Sequence, residues 1–358
     1  MTSRIWPIVA FCHVIAPISK TQAQEAQDLR QETDTLAIDN AAAGSAPLIR
    51  LVQEAEYLLS RGQVEFALRK YEEAVSAGAG SSQVLNRIAE IYLRSGQPLR
   101  AIPHLRRSLQ EEPGQLAAYS ALNEAFFASG NIDSAKYYVH QARELAPVNS
   151  GVYSRLGFLH MQSQEWDRAR AQIDTALMLS DENTEAHHLL ALLHTRVEKA
   201  DSALMSYRRV LELDPEDVEA HNNIAFLLAA ERQYPEALEW YKRTKELVTD
   251  PNLLHTINLN VESIRAIMAG KLRARFILVE TESKGRDLLR RIGTGEDFAE
   301  LAARFSVAPN AQDGGDLGFF GPGDMRPEVE EEVVRLDVGQ VSELIPIGTR
   351  FMLLQRLN

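Results

Sequence analysis

The chain has 358 residues, 45% hydrophobic and 25% charged, with a formal net charge of −12. That length accommodates two or three domains with sizeable cores. The acidic balance, without any cluster of Lys and Arg, excludes the footprint of a nucleic-acid binder, because phosphate contacts depend on clustered cations that release counterions.

Residues 1–23 read as an export signal. Arg4 and the free amine give a weak positive start, Ile5 to Ile18 form an apolar run, and Thr21-Gln22-Ala23 offers small residues before a cleavage point. The run is shorter than the ~20 residues that span a bilayer comfortably. The mature chain then begins near Gln24 and is exported; a retained N-terminal membrane anchor is the alternative. Cys12, the one cysteine, lies inside the run behind the bulky Phe11, which argues against lipidation. Cleavage leaves a chain without thiols, which suits an oxidising compartment. Residues 24–46 are polar and bury too little to fold alone, so they read as a linker.

From Pro47 the sequence repeats. Ala67, Ala101, Ala135, Ala169, Ala203 and Ala237 follow one another at a constant spacing of 34 residues. Twelve positions before each stands a mostly small residue: Ala55, Ala89, Asn123, Gly157, Ala191 and Ala225. Four positions after each comes a larger one: Tyr71, Leu105, Val139, Ile173, Tyr207 and Tyr241. Such spacings place residues on one face of a helix, and the small ones let two helices pack closely. Gly62, Gly96 and Gly130 mark the turn inside a repeat, whereas Pro113, Pro147 and Pro215 end its second helix. Gln164 takes the place of the turn glycine in the fourth repeat.

This pattern resembles the tetratricopeptide repeat, with six copies over residues 47–250. The expected architecture is an all-α solenoid. Residues 251–272 supply a capping helix, with Leu254, Ile257, Val261 and Ile264 on one side, and a short linker. The resemblance implies a concave surface that binds a protein partner, faced by the fifth, ninth and twelfth positions of each first helix. The ninth reads Glu56, Glu90, Glu124, Phe158, Leu192, Phe226, half acidic and half apolar. No Lys or Arg stands at the fifth or ninth position. The expectation is therefore an extended partner with a basic end and apolar residues, not an acidic C-terminal tail. The alternative for the apolar half is packing between repeats. His187 and His221, like His160 and His194, recur at equivalent repeat positions and read as core histidines. Their spacing matches no metal-ligand motif, so neither metal nor cofactor is expected.

At Gly270 the repeat stops. Residues 274–280 (ARFILVE) read as a buried strand, followed by two helical stretches around Leu288 and Phe298, a polar loop, then Gly314-Gly315-Asp316-Leu317-Gly318-Phe319-Phe320 and Met325-Arg326-Pro327-Glu328. Two short strands, near Val341 to Ile347 and Phe351 to Leu357, close a small α+β domain over residues 273–358. Glu330-Glu331-Glu332 reads as the solvated face of a short helix. The glycine-rich stretch is not followed by Lys-Ser/Thr, so phosphate binding is excluded. No Ser-His-Asp or Cys-His arrangement is visible.

The order FILVE, GEDFAELA, Ser306, GGDLGFF, MRPE and Gly339-Gln340-Val341-Ser342 resembles the parvulin-type peptidyl-prolyl cis-trans isomerase domain, also called rotamase. The resemblance implies rotation about the bond preceding proline, with a proline socket formed by Leu317, Met325 and Val329, beside Phe320. Val329 replaces the family's larger Phe. It also implies three polar positions, and here the chain departs from the family: Phe276 replaces a histidine, Ala308 an Asp or Cys, and Met352 a second histidine. Together, the exported helical solenoid and the parvulin-like domain suggest a folding or assembly factor of the bacterial periplasm or cell envelope that engages unfolded or proline-containing segments, with isomerase activity weak or lost. The alternative is a non-enzymatic chaperone or scaffold that uses the same fold for peptide binding only.

Overall fold

The computed structural model describes residues 46–358. The expectations for the export signal, Cys12 and nearly all of the linker lie outside the described residues. The described chain divides into two compact units, one ending at Pro215 and one running from Glu216 to Asn358.

The first unit consists of five helix pairs: α1 (Ala46–Ser60) with α2 (Val64–Ser76), α3 (Ser82–Arg94) with α4 (Pro98–Glu111), α5 (Leu116–Ala128) with α6 (Ile132–Leu145), α7 (Ser150–Gln162) with α8 (Trp166–Leu179), and α9 (Thr184–Arg196) with α10 (Ala200–Leu213). The second begins with a sixth pair, α11 (Val218–Ala230) and α12 (Tyr234–Leu247), and the predicted extra helix α13 (Pro251–Met268).

The small-residue register explains the pairing. All six anchoring alanines, Ala67 through Ala237, are fully buried, as are the large Tyr71, Tyr241 and Ile173 one turn later. At the twelve-before position of the fourth repeat, a Cβ on Gly157 would come 2.8 Å from Ile173 Cγ1. Asn123, the polar exception in that slot, donates its amide to the Ala135 carbonyl at 3.1 Å and so satisfies itself within the interface.

Turn geometry repeats as strictly as packing. Gly62, Gly96 and Gly130 adopt φ of 72°, 67° and 79°, and the same turn is left-handed at Gln164, Glu198 and Arg232, with φ of 59°, 56° and 60°. Packing of the helix pair therefore imposes the conformation, whatever residue is present. A side chain there costs roughly 1–2 kcal/mol.

The first repeat has a different outer face. Where later first helices bury Val84, Ile88 and Ile91, or Val152, Leu156 and Leu159, α1 carries Arg50, Glu54 and Tyr57. Tyr57 is 63% exposed, and Glu54 pairs with Lys70 at 3.3 Å. Among the described residues, that polar face is the outermost on the N-terminal side of the first unit, as in a terminal repeat.

Histidines at repeat positions are partnered. His187 Nε2 contacts the Asp181 carbonyl at 2.8 Å, and His160 Nδ1 contacts Glu165 at 2.6 Å. Glu165 also binds Lys136 at 3.0 Å and Arg168 at 3.3 Å, tying the third repeat to the fourth. Hydrogen bonds from Lys136 and His160 hold its carboxyl down at about 2. No cluster of three metal-ligating side chains occurs among the described residues.

The rest of the second unit is a four-stranded antiparallel sheet with three helices. In chain order these are β1 (Leu272–Val279), α14 (Glu282–Gly293), α15 (Phe298–Phe305), β2 (Asp316–Phe320), α16 (Pro327–Arg335), β3 (Ile345–Ile347) and β4 (Arg350–Arg356), arranged β2-β1-β4-β3. Alternation along β1 serves two cores. Ile277 and Val279 join Leu288, Phe298 and Leu301 beneath α14 and α15. Ala274, Phe276 and Leu278 face the opposite side. The predicted strand at 341–347 is shorter than expected. Val341 makes only an isolated bridge to Gln355, and pairing resumes at Ile345. Buried Ser342 causes this break, since its hydroxyl accepts the Leu354 N–H at 2.9 Å and donates to the Glu343 carbonyl at 2.7 Å.

Replacing Glu198 by Gly should raise stability by about 0.5–1 kcal/mol, relief of the left-handed strain outweighing the added chain entropy; urea unfolding would measure it. Because the Glu165 pKa is depressed on folding, its contribution is present above the usual carboxylate pKa of ~4.3 and is lost as pH falls toward about 2. Glu165→Gln should therefore flatten that acid limb, read by fluorescence of the adjacent Trp166.

Candidate functional site

The second apolar face of the sheet gathers the residues implied by resemblance. Phe276 on β1, Leu317 and Phe320 on β2, Met352 on β4, and Met325 and Val329 around the start of α16 all belong to one cluster, with Leu278, Ile345 and Ile347 beside them. Register explains part of this: Leu278 pairs with Met352 and Phe276 with Leu354, so all four side chains emerge on the same face. Phe320 is only 2% exposed and forms the floor. Leu317, Met325 and Val329 are half-buried and available as walls.

One glycine makes the close approach to β1 just before β2. Gly315 has φ of 77°, and a Cβ there would fall 2.0 Å from the Phe276 carbonyl oxygen. Phe276 N–H donates to the Gly315 carbonyl at 2.9 Å. Asp316 then binds Arg273 and accepts the Gly318 N–H at 2.8 Å. Burial alone would raise the Asp316 pKa, but the Arg273 hydrogen bond and the Gly318 amide outweigh it and hold the carboxylate below its ordinary range.

Ala308 stands outside the apolar cluster, buried in the loop after α15. Ser306 organises that loop: its hydroxyl accepts the Leu278 N–H at 3.1 Å and the Ala308 N–H at 3.3 Å, while Val307 N–H reaches the Leu278 carbonyl at 2.8 Å. Backbone and Ser306 hydrogen bonds thus hold the Ala308 loop against β1. Phe276, Ala308 and Met352 themselves have no side-chain donor and no strong acceptor. None of these three side chains can present a proton to an amide.

The acidic triplet divides in two. Glu331 and Glu332 lie 3.5 and 3.8 Å from Arg335 along α16, as a solvated helix face would. Glu330 instead turns back and accepts N–H bonds from Gly323 and Met325. The sequence reading missed this role.

In the helical repeats, the ninth-position row is less open than its sequence suggests. Arg87, three residues before Glu90, bonds Glu56 at 3.1 Å and Glu90 at 2.8 Å, while Arg94 binds Glu90 at 2.8 Å. These residues, with Leu59 and Ile91, line a cleft of about 410 Å³. Glu124 is exposed. Phe158 is buried, packed edge-on against Phe127 at 5.1 Å. The Arg155 guanidinium lies 5.1 Å from the Phe127 ring and 5.0 Å from the Phe158 ring, and Nε donates to Asn123 at 2.5 Å. Burial pulls the Arg155 pKa down against Glu185 and Glu124. Arg87 and Arg155 both occupy the sixth helix position, which attention to the fifth and ninth alone overlooks. Leu192 and Phe226 are half-buried, each in its own compact unit.

A helical-repeat protein with an appended small α+β domain is the class this architecture defines. Residues 52–116 and 188–250, and separately 126–193, match tetratricopeptide repeat family models. Residues 278–356 match the rotamase family, the PPIC-type PPIASE domain. The chain therefore carries tetratricopeptide repeats followed by a parvulin-type domain. Among curated relatives, the "Foldase protein PrsA" of Halalkalibacterium halodurans is 49% identical over 74 residues, which is 20% of this chain and 22% of that protein. The "Chaperone SurA" of Chromohalobacter salexigens is 42% identical over 89 residues, 22% of this chain and 20% of that one. The chain thus spans only about a fifth of the length of these two relatives. Among solved structures, the APC/C hetero-tetramer Cut9-Hcn1 superposes with a TM-score of 0.51 at 16% identity, covering 68% of this chain and 46% of its own, a likeness of fold alone.

Gly315→Ala tests the framework directly. The added Cβ forces β1 and β2 apart, so hydrogen exchange at the Phe276 amide should accelerate by at least about tenfold, whereas Gly293→Ala, with open space around it, should leave that amide protected.

Proposed function

We propose that this chain is an exported folding or assembly factor whose helical repeats hold a polypeptide partner and whose C-terminal domain binds proline-containing or unfolded segments, with peptidyl-prolyl isomerase activity weak or lost. The observation that carries this reading is the clustering of Phe276 and Met352 with Leu317, Met325 and Val329 on one apolar surface. Support for a folding role comes from the names of the two curated relatives, and support for export from residues 1–23.

Isomerisation makes and breaks no bond. It must lower a barrier of roughly 18–20 kcal/mol for rotation about a partly double C–N bond, which leaves the uncatalysed process taking tens to hundreds of seconds. Each tenfold acceleration requires about 1.4 kcal/mol of preferential stabilisation of the twisted amide. A socket for the proline ring binds the planar and twisted forms alike, and uniform binding of this kind does not raise the turnover rate. Preferential stabilisation needs a donor placed where charge shifts as the amide twists. Phe276, Ala308 and Met352 supply none.

In the repeats, alternation of Glu56, Arg87, Glu90 and Arg94 beside Leu59 and Ile91 suits an extended segment of mixed apolar and charged residues. The pairing through Arg87 reduces the preference for a basic partner below what three glutamates alone would give.

A proline-limited refolding assay with the whole chain tests the reading. The expected result is little or no acceleration by wild type, and a gain of at least about tenfold when Phe276→His and Met352→His are combined, a threshold set below the roughly 10²–10⁴-fold that well-positioned proton donors supply. Wild-type acceleration comparable to that of an ordinary parvulin would overturn it and favour a working isomerase that relies on the socket and backbone.

A further inference from the structure

We infer that Glu330 is a positioning residue for the prolyl socket: its carboxylate fixes the loop that presents Met325, and so sets affinity for proline-containing peptides. The inference rests on the reading of that apolar surface as a peptide site.

Between β2 and α16 the chain runs Gly321-Pro322-Gly323-Asp324-Met325-Arg326. Gly323 has φ of 88°, a left-handed conformation, and beside Pro322 the backbone itself contributes one turn bond to this stretch, from Asp324 N–H to the Gly321 carbonyl at 3.2 Å. Two side-chain carboxylates close it. Asp324 accepts the Gly321 N–H at 2.7 Å, joining the loop to the end of β2. Glu330 Oε1 accepts both the Gly323 N–H at 2.9 Å and the Met325 N–H at 2.8 Å, and Oε2 takes a longer share of the Gly323 bond at 3.1 Å. One oxygen therefore gathers two backbone donors of the loop. Charge-assisted bonds of this kind are stronger than neutral ones.

Placement on α16 gives the contact its consequence. Val329, the preceding residue, faces the apolar cluster together with Met325, while Glu330 reaches back over the loop. A single helical turn thus bears on two of the three walls of the socket, Met325 and Val329. Methionine has three rotatable side-chain bonds and adapts to its surroundings, so fixing its backbone is the economical way to fix its position. Without the acceptor both N–H groups turn to water, the loop samples other conformations, and a ligand must order it on binding.

The test uses the full chain and a fluorescein-labelled peptide with a single Leu-Pro bond between apolar residues. Glu330→Leu should weaken binding about tenfold and accelerate hydrogen exchange at Gly323 and Met325, with thermal stability changed little. Glu330→Gln keeps the bridging oxygen without its charge, and should restore protection of both amides and most of the affinity. Glu331→Leu, on the solvated face, should behave as wild type. If Glu330→Leu binds the peptide as wild type does, or if Gly323 and Met325 remain equally protected, the role assigned to Glu330 is wrong and the peptide site stands. If wild type itself does not bind the peptide, the peptide-site reading is overturned, and its consequence for Glu330 with it.

Discussion

Close approach of two helices at a buried alanine is the constraint on which most of this molecule depends. Each anchoring alanine is sealed inside its pair, and the position twelve residues earlier must be small or, like Asn123, able to bond the opposing backbone. Overpacking such a contact costs typically 1–3 kcal/mol. Given that fixed distance, the connecting turn has one solution, which is why Gln164, Glu198 and Arg232 accept the conformation that Gly62, Gly96 and Gly130 adopt freely. Geometry imposed by packing has overridden local preference at three positions of six.

The C-terminal domain separates framework from chemistry. Gly315, Ser306, Ser342 and Asp316 hold strands and loops through backbone contacts that few other side chains could make. The three positions that resemblance matches to the parvulin family's polar groups are occupied by Phe276, Ala308 and Met352. None of these three side chains offers a hydrogen-bond donor, and the proposed loss of isomerase activity rests on that chemistry. In the repeats, function and packing are less separable. Arg155 fills the space between Phe127 and Phe158, so what would otherwise be an apolar ledge becomes part of the wall.

Most of the fold was legible because it follows from spacing. The 34-residue beat, the capping helix and the first strand depend on periodicity, which a sequence displays directly. What escaped was set by contacts between distant residues. The break after Val341 comes from one serine hydroxyl bonding across to Leu354, and no propensity announces it. Glu330 looked like its neighbours Glu331 and Glu332, because a charge run does not reveal which member turns back. Arg87 and Arg155 went unnoticed because their partners, Glu56 and Asn123, lie one repeat away in the sequence. The socket residues were named by resemblance rather than by any pattern in the chain itself.

The most direct test of the central claim observes binding and rotation in one sample: exchange NMR on a Leu-Pro peptide mixed with the full chain, whose methionine methyl groups carry an isotope label. The account predicts perturbed Met325 and Met352 methyl signals without acceleration of cis–trans exchange in the peptide. Rapid catalysed exchange, or a peptide that leaves both methyl signals unmoved, would contradict it.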